Sequence, residues 1–242
     1  MVLVLGDGSP EDDEIMVPID LLKRALPGRD VKLPILFGPF RGGSFHSNPR
    51  SSLRKVFGLY EFEHDAWLRA ILPETDLIID VGANDGYFTF GAARAISRHR
   101  TPRVIAFEPD ERHIARLRQA RAEAGYDADT IQLRPFFVGL GLKQRVIALD
   151  WLPEADSECR ALIKIDVDGG EMRVLGGAKK WITPRHHFMI EVHRPEYFGQ
   201  IRALFAERGI ALERVDQKAL PLLGREQRHP DHGWLVTPAV TT

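Results

Sequence analysis

The sequence predicts an α/β fold built on a doubly wound, mostly parallel sheet, and two observations carry that prediction. Residues 77–81, 103–107, 162–167 and 188–192 are short, nearly continuous apolar runs, as expected of strands covered on both faces. Each is followed by a segment of helical period: Phe88/Ala92/Ala95/Ile96, Ile114/Leu117/Ala120/Ala124, Val174/Leu175/Ala178/Ile182 and Phe198/Ile201/Phe205. Apolar strands separated by amphipathic helices imply parallel neighbours with helices on both faces of the sheet.

The elements follow in order. Residues 15–26 have helical spacing (Ile15, Ile19, Leu22, Leu26) and stop at Pro27-Gly28, while residues 36–50, rich in Gly, Pro and Ser, read as loops. A helical stretch at 63–72 meets Pro73 and leads into the first strong strand. Between the second and third strong strands, residues 131–133 and 145–149 read as further strands. The chain divides into an accessory segment, 1–62, and a sheet domain, 63–242. Residues 36–60 are expected to pack over the ligand cleft as a lid and exclude water.

Composition bounds the function. The 242 residues hold 33 Lys plus Arg against 34 Asp plus Glu, so no global field draws the chain to nucleic acid or an anionic membrane. The arginines from Arg94 to Arg121 alternate with apolar residues at helical spacing and read as a solvated helix face. A lone cysteine, Cys159, gives neither a disulfide framework nor a cysteine metal site, which suits a reducing, cytoplasmic setting. No run of about 18 apolar residues is present to span a bilayer.

Ligands on such sheets bind beyond the carboxyl ends of the strands. The first such end reads Asp80-Val81-Gly82-Ala83-Asn84-Asp85-Gly86, where Gly82 and Gly86 permit close approach of a ligand and the following helix offers free N–H groups. At the second, Glu108 stands where an acid can accept hydrogen bonds from a ribose diol, and Asp110 suits a helix cap. A glycine loop with a downstream acid also describes a nicotinamide dinucleotide site. This loop, however, lacks the third glycine of that pattern and carries Asp80, which would oppose a pyrophosphate but can pair with the ammonium of S-adenosylmethionine.

Four blocks carry a resemblance to a known family. Residues 78–88 (IIDVGANDGYF) look like the cofactor loop of FkbM-type methyltransferases, and residues 104–109 (VIAFEP) resemble their ribose strand. Residues 163–171 (IKIDVDGGE), with Val174-Leu175-Gly176-Gly177-Ala178, are similar to the family's most distinctive block, and Ile190-Glu191-Val192-His193 to the strand that closes the site. Gly38-Pro39-Phe40-Arg41-Gly42 and Gly58-Leu59-Tyr60-Glu61 resemble segments ahead of the core. The likeness spans about residues 38–216. It implies a Rossmann-like class I methyltransferase fold, S-adenosylmethionine as cofactor, and O-methylation of a small-molecule hydroxyl on a sugar or natural-product intermediate. Between Gly141 and Asp150 the chain is shorter than the resemblance implies.

For the reacting centre the candidates lie at the third and fourth strong strand ends: Asp166, Asp168, Glu171, Glu191 and His193. His193 is expected to act as general base, because neutral imidazole is available near pH 7, with Asp166 orienting substrate or cofactor and Glu171 contacting the acceptor or stabilising a helix start. The spacing of these groups assigns no metal ion. Asp80, Gly82, Asn84, Gly86 and Glu108 are the expected cofactor residues, with Tyr60, Glu61, Phe136 and Phe137 closing the pocket. A nicotinamide-dependent oxidoreductase and a non-catalytic cofactor-binding protein are the competing classes.

Overall fold

The computed structural model describes residues 26–141, 145–220, 229 and 231–239. The chain opens with a hairpin of β1 (Val31–Pro34) and β2 (Ser44–Ser47), followed by a short helix α1 (Leu53–Val56) and α2 (Asp65–Ile71). Next come β3 (Leu77–Val81), α3 (Tyr87–Ile96), β4 (Val104–Phe107), α4 (Glu111–Glu123) and β5 (Ile131–Arg134). A two-residue pair, β6 (Phe137–Val138) and β7 (Val146–Ile147), precedes β8 (Ala161–Ile165), α5 (Glu171–Gly176), β9 (His187–Val192), α6 (Pro195–Ala206), β10 (Glu213–Val215) and β11 (Gly233–Val236).

The main sheet has seven strands in the order β10-β11-β9-β8-β3-β4-β5. Five of them, β9, β8, β3, β4 and β5, run parallel, and β11 lies antiparallel between β9 and β10. From β3 the chain winds outward through β4 to β5, then returns to place β8 and β9 on the other side. The switch point is thus the seam between β3 and β8, where a crevice opens beyond the carboxyl ends. This is the doubly wound arrangement expected from the apolar runs, of the Rossmann-like kind that the resemblance implies.

Alternation along the strands divides the core into two layers. Ile78, Leu162, Met189 and Trp234 face α3, where Phe40 and Phe45 of the hairpin region also pack. Ile79, Ile163, Ile190 and Leu235 face the other way, against Leu175, Trp181, Ile201 and Phe205. The first face also holds a polar seam, because Asp80 stands opposite Lys164 in the ladder.

Several expectations change. Residues 44–47, read as loop, form β2: Phe45 is fully buried and His46 nearly so, and these anchors outweigh the glycines around them. The strand read at 145–149 is only β7, and a 3-10 turn at Leu149–Trp151 replaces the rest. The helix read at 63–72 is a 3-10 turn running into α2, and the antiparallel pair β10–β11 was not read at all. The helix read at 15–26 lies outside the described residues, apart from its last residue. Among the described residues no helix is long and apolar enough to cross a membrane.

Candidate active site

The loop after β3 turns sharply because two glycines take left-handed backbone. Gly82 has φ of 92°, and a Cβ there would stand 2.0 Å from the carbonyl oxygen of Asp166. Only glycine lets the β3 and β8 ends lie this close. Gly86 has φ of 81°, and a Cβ on it would meet the Phe90 ring at 2.5 Å. Between them Asn84 also adopts positive φ, and its N–H donates to Glu108 Oε2 at 2.9 Å. The other Glu108 oxygen accepts the N–H of Asp110 at 2.9 Å. Two backbone donors therefore fix this carboxylate, and each oxygen keeps lone-pair capacity for a ligand. Asp110 caps α4 by accepting the N–H of Arg112, as its position suggested.

Beyond these ends opens a cleft of about 640 Å³, walled by Gly82, Asn84, Glu108, Phe137, Asp166 and Arg173 among others. The size suits a cofactor-sized ligand. Phe137 is 58% exposed, which leaves its ring available to stack on a ligand. Seven of the sequence-predicted site residues thus line the cleft: Gly82, Asn84, Glu108, Phe136, Phe137, Asp166 and Asp168.

The others stand behind or beside it. Asp80 is fully buried outside the cleft wall: Oδ2 accepts the Thr89 hydroxyl at 2.5 Å, while Oδ1 has no hydrogen-bond partner among the described residues. Burial raises its pKa against the opposing charge of Lys164. A direct pairing of Asp80 with a ligand's ammonium is not what this wall offers. Tyr60 packs edge-on against Tyr87, centroids 5.6 Å apart, and Lys55 pairs with Asp85 at 2.6 Å. None of residues 26–62 lines the cleft. The segment lies against α3 and α4, where Lys55 braces the glycine loop and Glu61 approaches Asp166 of the cleft wall.

A second, polar part adjoins the cleft at Asp166. Lys164 Nζ donates to Asp166 Oδ2 at 2.8 Å. Burial disfavours the lysine's charge, yet Asp166, Asp80 and Glu61 hold its pKa well above the ordinary value. Burial likewise opposes ionisation of Asp166, but Lys164 and a hydrogen bond from Glu191 bring its pKa down to about 2. One ligand-type oxygen each from Glu61, Asp166 and Glu191 lies within 4.8 Å of the others.

His193 stands at the end of β9. Its Nδ1 lies 2.6 Å from Oε1 of Glu171, and Nε2 lies 3.4 Å from Asp168 and 3.8 Å from Asp166. With Nδ1–H donating to the fully buried Glu171, the lone pair stands on Nε2. Burial lowers the imidazole's pKa, but Glu171, Asp166 and Asp168 more than offset this, so it is raised. Glu171 is therefore more than a dipole-stabilising acid in a first helical turn.

Lys164 was not among the expected site residues. Its signal was a lysine inside an otherwise apolar strand, Ala161–Ile165, where a charge survives only if paired. His232, whose ring lies 4.8 Å from that of His193, gave no such signal, since the strand it precedes was not read.

Comparison with known proteins fits this geometry. Residues 141–212 match the family model of the methyltransferase FkbM domain. No curated protein matches the chain. Among solved structures, the fold is similar to the methyltransferase FkbM from Methylobacillus flagellatus KT, with a TM-score of 0.51 and 19% identity. That alignment covers 68% of this chain and 44% of the other, so the chain spans less than half of that protein. A precorrin-6Y C5,15-methyltransferase from Geobacter metallireducens GS-15 aligns with a TM-score of 0.46 at 14% identity over 73% of this chain and 86% of its own. A SAM-dependent O-methyltransferase from Thermotoga maritima aligns at 0.43 and 13%, over 71% and 63%. The block at 141–212 thus matches the family whose resemblance was read from the sequence, and the fold is similar to that of a Rossmann-like FkbM methyltransferase.

Proposed function

We propose that this chain transfers a methyl group from S-adenosylmethionine to a hydroxyl of a small molecule, a sugar or a natural-product intermediate. One observation carries the reading: a cofactor-sized cleft and a braced imidazole meet at Asp166. The cofactor fits the donor set. Glu108 offers two fixed carboxylate oxygens to a ribose diol, the Gly82 turn admits a close-lying ligand, Phe137 offers an aromatic face, and Asp166 supplies negative charge for an ammonium or sulfonium. Asp80, Gly86, Tyr60 and Glu61 serve from behind the wall, by shaping the loop and its electrostatics.

When bound, the cofactor supplies a methyl carbon on a positively charged sulfur, a leaving group that needs no proton. What the chain must provide is alignment and a place for the acceptor's proton. His193 Nε2 takes that proton as the oxygen bonds to carbon, Glu171 fixes the ring's tautomer through Nδ1–H, and Asp166 sets the geometry between cleft and base. Residues 63–242 form the catalytic unit and residues 1–62 its accessory segment. A balanced charge and an unpaired Cys159 favour a small-molecule acceptor in the cytoplasm over a nucleic-acid one.

The test is calorimetric titration with S-adenosylmethionine and with NAD, followed by an acceptor screen that reads release of S-adenosylhomocysteine. Binding of NAD alone would make the chain an oxidoreductase candidate, and binding without turnover on any acceptor would favour a cofactor-binding protein. His193→Ala is expected to keep cofactor affinity and lose ~100- to 10,000-fold in rate. Near-wild-type turnover in that variant would remove His193 as the base.

A further inference from the structure

The polar groups around His193 include two, Glu191 and His232, that the transfer reaction does not use. Glu191 and His193 are two residues apart at the end of β9 and so share a face of the sheet. In the antiparallel ladder Gly233 pairs with Val192 and Trp234 with Glu191, so the next step places His232 opposite His193. Their rings stand 4.8 Å apart, and one ligand atom each from Glu191, His193 and His232 lies within 4.8 Å of the others. Donors around a single zinc ion stand about 2.0–2.2 Å from it, hence up to about 4 Å from one another. A small closure of three side chains brings this set to that spacing.

We infer that Glu191, His193 and His232 form a binding site for a divalent transition-metal ion of the zinc type. Three features point to it. The donors are two imidazoles and one carboxylate, a set that suits zinc and its neighbours rather than magnesium or calcium, which prefer oxygen alone. His193 is already oriented for coordination: the buried Glu171 carboxylate takes its Nδ1–H, leaving Nε2 as the ligand, the support that metal-bound histidines commonly have. Asp168 and Asp166 flank Nε2 at 3.4 and 3.8 Å, so the surroundings are acidic, and Lys164 is engaged by Asp166.

The consequence rests on the proposed role of His193. The lone pair that coordinates the ion is the one that would accept the acceptor's proton, so an occupied site has no free base. The metal is therefore an inhibitor of transfer, and its removal restores turnover.

The experiment uses the full chain, stripped with a chelator and titrated with zinc chloride against a chromophoric zinc indicator, which reads binding without any need for activity. Wild type should take up a single equivalent of zinc, with magnesium failing to compete. His232→Ala and His232→Gln should each lose more than the roughly 10- to 100-fold in zinc affinity that follows loss of a supporting partner. Two variants guard against a folding defect in one. In turnover assays zinc should slow wild type about tenfold or more and spare His232→Gln, with recovery on chelation. Absence of stoichiometric zinc uptake, or wild-type zinc affinity in both His232 variants, would overturn the site. Faster turnover with zinc would overturn its inhibitory role. A chain that binds zinc through His232 but never transfers methyl would leave the site standing and sink the transfer reading instead.

Discussion

Lys164 holds its charge among Asp80, Asp166 and Glu61, almost wholly out of water. Such a pair adds little over an apolar isostere, but breaking it strands a buried charge. Lys164→Met is therefore expected to cost about 3–5 kcal/mol of unfolding free energy in a urea titration. Adding Asp80→Asn should recover part of the loss, because the stranded carboxylate is then neutral. Strictly additive effects would mean that the two groups are not coupled. Glu108 is the residue to change when the cofactor is the question: Glu108→Ala should weaken S-adenosylmethionine binding by ~1–3 kcal/mol in calorimetry. Unchanged affinity would remove it from the ribose contact. At this scale the sequence was legible wherever position along a strand settles the role. Gly82, Glu108 and Asp166 end apolar runs and do line one cleft. Lys164 and His232 were not legible in the same way, because their importance comes from neighbours on other strands, 84 and 39 positions from Asp80 and His193 in the chain.

The β1–β2 hairpin illustrates what periodicity misses between elements. Four-residue strands are too short for alternation to register, and what holds this pair is a few aromatic anchors. Phe40 sits in a notch on α3 made by Gly91, where a Cβ would come within 2.5 Å of the Phe40 ring, and it meets Tyr87 and Phe88 edge-on at 5.5 Å. Phe40→Ala should accordingly cost about 3–5 kcal/mol. Because α3 begins right after the glycine loop, the same change should also weaken cofactor binding, which a lid closing from elsewhere would not require. A Phe40→Ala protein with lowered stability but unaltered S-adenosylmethionine affinity would show that the hairpin serves the fold alone. The central sheet, by contrast, was readable in advance since β3, β4, β8 and β9 are covered on both faces and carry near-continuous apolar sequence. The β10–β11 pair was not, because β10 is an exposed edge strand without an apolar run.

For the whole molecule, stability against acid is expected to depend on two groups of opposite sense, the buried His186 and the half-buried Asp65. His186 lies at the start of β9, and its Nδ1 accepts the N–H of Ala161 at 3.1 Å, so the folded chain requires a neutral ring. Burial, aided by the charge of Arg185, lowers its pKa from 6.5 to about 4. Between those values the unfolded chain binds a proton that the folded chain refuses, so stability falls as pH drops from 6.5 towards 4. Asp65 acts the other way. Burial raises its pKa from 3.8 to about 6, so the folded chain binds a proton that the unfolded chain has released, and its contribution is lost as pH rises from 3.8 through 6. The two windows overlap, and the wild-type profile alone would hide both. Single variants separate them. His186→Asn keeps an acceptor for Ala161 but does not titrate, so the advantage of wild type over it should shrink on going from pH 7 to pH 4, by on the order of 1–2 kcal/mol once solvent screening of a partly open ring is allowed for. Relative to Asp65→Asn, wild type should instead lose ground as pH rises across the same interval. Urea titrations at pH 4, 5, 6 and 7 give both differences. Parallel profiles for His186→Asn and wild type would mean that the imidazole protonates equally in both states, and that acid sensitivity in this chain arises elsewhere.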